Sequence, residues 1–276
     1  MKYFTPFVVY LAVLVYCFPS CRPSDDGMKI HWKDNILTIS GEHLPGKKMD
    51  ILYLEAFCKT GSTKRIWDQT TIPHKTELVS ADKDGKLIRL RTVVEPATEV
   101  LHEIRAGVDE VDFKLELKNN YNQAVDMDWF QPCIRVDQFT KRNQENYIQR
   151  CFIYTDRGLT TLDKTRRTEE AVYRGGQVYV PAGVNLDDVN PRPISPDQPV
   201  NGLMGCYSDD NKYLMATAWD QYQELFQGIF VCIHSDPRIG GLKAGETKKL
   251  RGKLYVMKND PQELLNRYHK DFDQQR

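Results

Sequence analysis

From residue 29 onward, short runs with an apolar residue at every second position follow one another, and no long amphipathic helix pattern separates them. In "VDFKLEL", Val111, Phe113, Leu115 and Leu117 fall on one face while Asp112, Lys114 and Glu116 fall on the other. That is the pattern of an antiparallel strand with one face in a core and one in water. Similar runs are "NILTISG", "KMDILYLEAF", "KLIRLRTVV", "DWFQPCIRV", "GQVYVPAG", "KYLMATAW", "QGIFVCIH" and "KKLRGKLYVM". Turn residues such as Asp84-Gly85, Asn119-Asn120 and Ala244-Gly245 connect them. Strands recurring in this way predict an all-β sandwich or barrel. A chain of 276 residues, 41% apolar, is long enough to bury its core.

Two segments depart from the alternation. Between Asp156 and Val200, "PAGVNLDDVNPRPISPDQP" is rich in Pro, Gly and charge and reads as a long loop, either functional or a passive excursion. At the end, "NDPQELLNRYHKDF" places Asp260 at an N-cap, Pro261 at the first helical position and Glu263 three residues after the cap. Leu264, Leu265, Tyr268 and Phe272 follow at helical spacing, which predicts a C-terminal helix docked on a sheet.

The first segment, "MKYFTPFVVYLAVLVYCFPSC", has a basic start, an apolar stretch and a small residue before Cys21. It reads as an export signal, with a membrane anchor as the alternative, and the stretch is short for a spanning helix. The "FPSC" ending resembles a bacterial lipoprotein box, which implies lipidation of Cys21, a membrane anchor there and a periplasmic or outer-membrane address. The chain then divides into 1–21 (signal), 22–28 (tether) and 29–276 (a single β domain). The formal net charge is zero and basic residues form no block, so no nucleic-acid partner is expected. Cys58, Cys133, Cys151, Cys206 and Cys232 show no C-x-x-C spacing. They read as mostly free, buried thiols, although an oxidising compartment would allow a disulfide.

Candidate chemistry gathers on two strands. In "VCIHSDPRIGG", His234 and Asp236 share a face, with Ile229, Val231 and Ile233 on the other. Asp236 would hold the imidazole tautomer, making His234 a general base or acid; alternatively both merely finish a strand before a turn. In "DWFQPCIRV", Trp129, Gln131, Cys133 and Arg135 share a face opposite Phe130, Ile134 and Val136. An aromatic plate, an amide and a guanidinium suit a pyranose ring, unless Trp129 is core and Arg135 pairs with an acid. Trp219 and Asp220 are further ligand-binding candidates, of opposite parity unless the strand ends or bulges there. His74 and Glu77 in "TTIPHKTEL" could converge with His234 and Asp236, but no H-E-x-x-H spacing supports metal, so no metal or other cofactor is expected. Nucleotide, phosphate and G-x-S-x-G motifs are absent.

Three stretches together resemble the galactose mutarotase-like superfamily: "VCIHSDPRIGGLKAGETKKLRGKLYVM", "MATAWDQYQELFQG" and "VDFKLELKNNYNQAVDMDWFQPCIRV". The resemblance implies an antiparallel β-supersandwich with a carbohydrate site on one sheet face. In that family a glutamate near the end of the matching strand is the base; His234, or Asp236 with a small shift, stands there. The family histidine has no counterpart, because Trp129, Phe130, Gln131 and Pro132 occupy its segment, so the epimerase reaction does not carry over. The expectation is an exported carbohydrate-handling protein that performs acid–base chemistry on a sugar (epimerisation, elimination or glycoside cleavage), with a non-catalytic glycan-binding or structural lipoprotein as the alternative.

Overall fold

The computed structural model describes Met1 and residues 27–273. The signal segment beyond Met1, Cys21 and most of the 22–28 tether lie outside the described residues; Met28, at the tether's end, is buried and donates its N–H to the Gly107 carbonyl. In chain order the strands are β1 (Lys29–Lys33), β2 (Ile36–Ser40), β3 (Lys48–Cys58), β4 (Thr71–Ile72), β5 (His74–Ala81), β6 (Leu87–Val94), β7 (Thr98–Ala106), β8 (Glu110–Asn119) and β9 (Trp129–Arg135). Then follow β10 (Cys151–Thr155), β11 (Gly158–Thr161), β12 (Gln177–Tyr179), β13 (Met204–Tyr207), β14 (Tyr213–Trp219), β15 (Tyr222–Gln227), β16 (Cys232–Pro237) and β17 (Thr247–Lys258). The α-helices are α1 (Trp67–Thr70), α2 (Asp137–Thr140), α3 (Glu169–Arg174) and α4 (Pro261–Phe272).

One sheet runs β1-β2-β3-β9-β16-β15-β12, with β4 added to the end of β3; the other runs β11-β10-β13-β14-β17-β8-β7-β6-β5. Their strand ladders are antiparallel, and the sheets bury one large shared core. This is the expected all-β supersandwich with a C-terminal helix. Val111, Phe113, Leu115 and Leu117 of β8 point inward, as their alternation requires, and meet Tyr53, Phe57, Phe130, Ile134 and Ile233 from the first sheet.

Helix α4 covers the outer face of the second sheet. Asp260 accepts from the N–H groups of Gln262 and Glu263, and Leu264, Tyr268 and Phe272 bury against Phe152, Leu214, Ala216 and Tyr255. The predicted cap and stripe are both realised.

Two expectations change. "QGIFVCIH" is not one strand: β15 ends at Gln227, residues 228–231 turn, and β16 begins at Cys232, so of the three residues expected opposite His234 only Ile233 lies on the strand and in the core. Trp219 is not a ligand contact; its ring packs between the sheets, 5.3 Å from Phe130 and 5.7 Å from Phe113 between centroids, over Gly252 of β17. A Cβ on Gly252 would lie 2.6 Å from that ring, so the close approach requires glycine.

The core also holds an imidazole. His102 on β7 is sealed between Tyr53 Oη (3.3 Å) and Thr92 Oγ1 (3.0 Å), and burial pushes it down to about 3. Its folded value is below its unfolded one, so the unfolded chain takes up the proton first and stability falls as pH drops below about 6.5. Urea unfolding between pH 6.5 and 5 should show a slope of up to about 1.4 kcal/mol per pH unit from this group, absent in His102→Gln. Identical slopes in the two proteins would refute the assignment.

Candidate functional site

The outer face of the first sheet carries a cavity of about 400 Å³. Its floor is made by β9 and β16. Cys232 pairs with Arg135 and Ile233 with Ile134, a register that carries His234 to the level of Cys133. Even-numbered residues of β16 and odd-numbered residues of β9 therefore share the outer face, and Gln131, Cys133, Cys232 and His234 all line the cavity. Phe226 on β15 pairs with His234, their rings 5.0 Å apart.

The opposite wall comes from an irregularity in β3. Its register against β9 shifts between Leu52 and Ala56, Leu54 takes a core position, and Glu55 faces the cavity, although strict alternation would place it with Tyr53 and Phe57. Trp67 on α1 and Phe230 in the 228–231 turn stand at the mouth, both partly solvent-exposed.

A strap closes the remaining side. The long loop between β12 and β13 crosses the outer face and is tied down by the Asn190 N–H, which donates to both Glu224 carboxyl oxygens at 3.1 and 3.0 Å. Gln223 Nε2 donates to the Asp188 carbonyl, and Asp188 Oδ1 accepts from the Gly61 N–H. Asn190, Pro191 and Arg192 thereby become cavity wall, so the loop is part of the site's construction.

Beneath the strap, Glu224 and Asp236 are cross-strand partners with no exposure. Burial, with the Asp236 charge beside it, pushes the Glu224 carboxyl well above the usual carboxylate range, which favours a shared proton on the pair. Burial also raises Asp236, to about 6, against the pull of His234. His234 Nδ1 lies 3.6 Å from Asp236 Oδ1, and His234 Nε2 lies 3.4 Å from Cys232 Sγ. Burial works against a charge on this ring, but the Cys232 sulfur and Asp236 outweigh it and push His234 up to about 10. A hydrogen bond from Cys133, with His234 adjacent, draws the Cys232 thiol down despite its burial. The floor of the cavity thus sets an imidazole beside a thiol, with the carboxyl pair beneath them. Glu55 is itself raised, chiefly by burial.

Several of the residues singled out from the sequence meet here. His234 and Gln131 line the cavity, and Asp236 supports His234 from below. Others do not. Trp129 is fully buried behind the cavity with Ala56 and Cys58, 6.5 Å from the Trp67 ring, because β9 is covered on both faces. Arg135 lies beyond the cavity, its guanidinium over the Phe230 ring at 5.2 Å and beside a neighbouring cleft with Lys48 and Asp50. His74 packs edge-on to Phe57, with Nε2 3.1 Å from the Leu54 carbonyl, and Glu77 pairs with Arg91 on the second sheet. Neither reaches His234, so the four-residue metal set does not assemble. Asp220 lines a separate, larger cleft near α4. The five described cysteines are free and buried, as expected.

The sequence reading missed Glu55, Trp67, Asn190, Phe226, Phe230 and Glu224. The only signal for Glu224 was its place in "QYQELFQG", an acid among alternating residues of a covered strand.

Glu224→Ala strips the Asn190 N–H and Asp236 of their buried partner and should cost about 3 kcal/mol in urea unfolding. Glu224→Gln, which keeps an acceptor for Asn190 and a donor for Asp236, should cost about 1 kcal/mol or less. Equal costs would refute a protonated Glu224.

No protein-family model matches the sequence, and no curated protein matches it. Among solved structures the chain is similar to a protein from Synechocystis at 9% identity and TM-score 0.47, covering 83% of this chain and 95% of that one. It is similar to a galactose mutarotase related enzyme from Lactobacillus acidophilus at 10% identity and TM-score 0.42, covering 83% and 97%. A galactose 1-epimerase from Lactobacillus acidophilus gives 12% identity and TM-score 0.38, covering 85% and 98%.

Proposed function

We propose that the protein handles carbohydrate in the cavity on the first sheet and moves protons on the bound sugar. One observation carries this reading: Glu55 and His234 line a cavity of about 400 Å³ that also presents Trp67, Gln131, Asn190 and Arg192. The volume lies within the ordinary range for a small-molecule site, with few polar groups among aromatic walls. An indole at the mouth suits the C–H face of a pyranose, while the two amides and the guanidinium suit its hydroxyls or a carboxylate.

The division of labour follows from charge. The Cys232 sulfur and Asp236 favour the charged form of His234, which suits it to donate hydrogen bonds or a proton, with Asp236 3.6 Å behind its Nδ1. The base is Glu55, which faces the cavity across from His234 and whose carboxyl is raised, chiefly by burial. Trp67 takes the stacking role that the sequence alone points to at Trp129, and Arg192 the role it points to at Arg135. The reading includes export and attachment through Cys21, on the strength of the "FPSC" segment.

A thermal-shift panel of monosaccharides, oligosaccharides and uronic-acid polymers tests this. At least one sugar should raise the melting temperature, and Trp67→Ala and Gln131→Ala should each weaken its binding by about 10-fold, roughly 1.4 kcal/mol. Glu55→Gln should retain binding and lower turnover about 10²- to 10⁴-fold. Binding without any turnover would leave a glycan-binding protein; no shift from a broad panel would sink the carbohydrate reading.

A further inference from the structure

The floor of the cavity has a second property, independent of which ligand the cavity takes. Cys133 Sγ, Cys232 Sγ and a ring nitrogen of His234 all lie within 4.8 Å of one another. Tetrahedral zinc, with bonds of about 2.3 Å to sulfur and 2.0–2.1 Å to nitrogen, sets such ligand atoms about 3.5–3.8 Å apart. The observed Cys232 Sγ to His234 Nε2 separation of 3.4 Å already approaches that spacing.

Three further features fit an ion at this position. With Nε2 turned to the sulfurs, the other ring nitrogen faces Asp236 at 3.6 Å, and no protein N–H reaches either Asp236 oxygen. A carboxylate behind the second nitrogen is the usual support of a metal-bound histidine, fixing the tautomer and aiming the ring. Gly228 lies across the same atoms: a Cβ there would stand 2.1 Å from Cys232 Sγ and 3.2 Å from His234 Nε2, so the space beside both ligands stays clear only for glycine. Finally, all three residues line the cavity, which leaves a fourth coordination position facing its interior.

We propose that Cys133, Cys232 and His234 form a binding site for a zinc-class ion, with the open fourth position directed into the cavity. Two cysteines and one histidine with one position free is a donor set of catalytic rather than structural zinc. Bound there, the ion would supply the electrophile for a carbonyl or hydroxyl oxygen of the ligand, in place of a proton from His234, which as a ligand is the neutral imidazole. Glu55 remains the proton acceptor. The two thiols belong to adjacent strands, so the ion also crosslinks β9 to β16.

The test uses the full chain, stripped of metal and held under a phosphine reductant, titrated with Co²⁺ as a spectroscopic probe. One equivalent should produce thiolate-to-cobalt charge-transfer absorption with tetrahedral ligand-field bands, and one equivalent of Zn²⁺ should displace it. Asp236→Asn should weaken binding about 10- to 100-fold, Cys133→Ser or Cys232→Ser more than that, and Cys206→Ser should leave it unchanged. The wild-type spectrum decides even where a variant fails to fold. Absence of the charge-transfer band in folded, reduced wild-type protein would overturn the proposal, as would a band that survives loss of both cysteines. Neither outcome bears on whether a sugar binds, which the thermal-shift panel reads separately.

Discussion

Two acids facing each other in a sealed place govern the architecture around the cavity. Glu224 and Asp236 pair across β15 and β16 with no exposure, and two carboxylates so placed cannot both stay ionised. The conflict is relieved from three directions. A shared proton is favoured on the pair, the Asn190 N–H is donated from above, and the His234 ring stands alongside as a counter-charge. Each solution has a structural consequence. The Asn190 contact fixes the strap, the strap walls the cavity, and the His234 counter-charge stabilises the sulfur of Cys232 next to it. Strap, imidazole and acids are thereby coupled, so a change to one alters the charge or the hydrogen bonding of the others.

The layered β architecture was legible because its cause is local. Alternation in "VDFKLEL" and the cap at Asp260 each follow from a few neighbouring residues, and both are realised. Parity on β9 and β16 was legible for the same reason: it correctly put Gln131 with Cys133 and His234 with Asp236. What parity could not supply was which positions along a face are open. Trp129 has the right parity but lies behind the cavity, and Arg135 overshoots it. Glu55 was hidden by the β3 register shift, and Asn190 by a loop whose course depends on a partner 34 residues away in Glu224. The convergence imagined for His74 and Glu77 failed because β5 is the far edge of the other sheet.

Cavity and neighbouring cleft also share a wall. Phe230 borders both, and its ring is held under the Arg135 guanidinium. A single side chain in the 228–231 turn thus separates the two spaces.

That turn has a consequence of another kind. Cys232, His234 and Asp236 occupy alternate positions of one short strand that begins immediately after it. A slip of β16 by one position against β9 and β15 would turn all three toward the greasy interior and bring Ile233 and Ser235 out in their place. The three side chains therefore face the cavity side as a block. Substitution can exchange them one at a time, but the register of β16 between its two neighbours is a shared condition for their use.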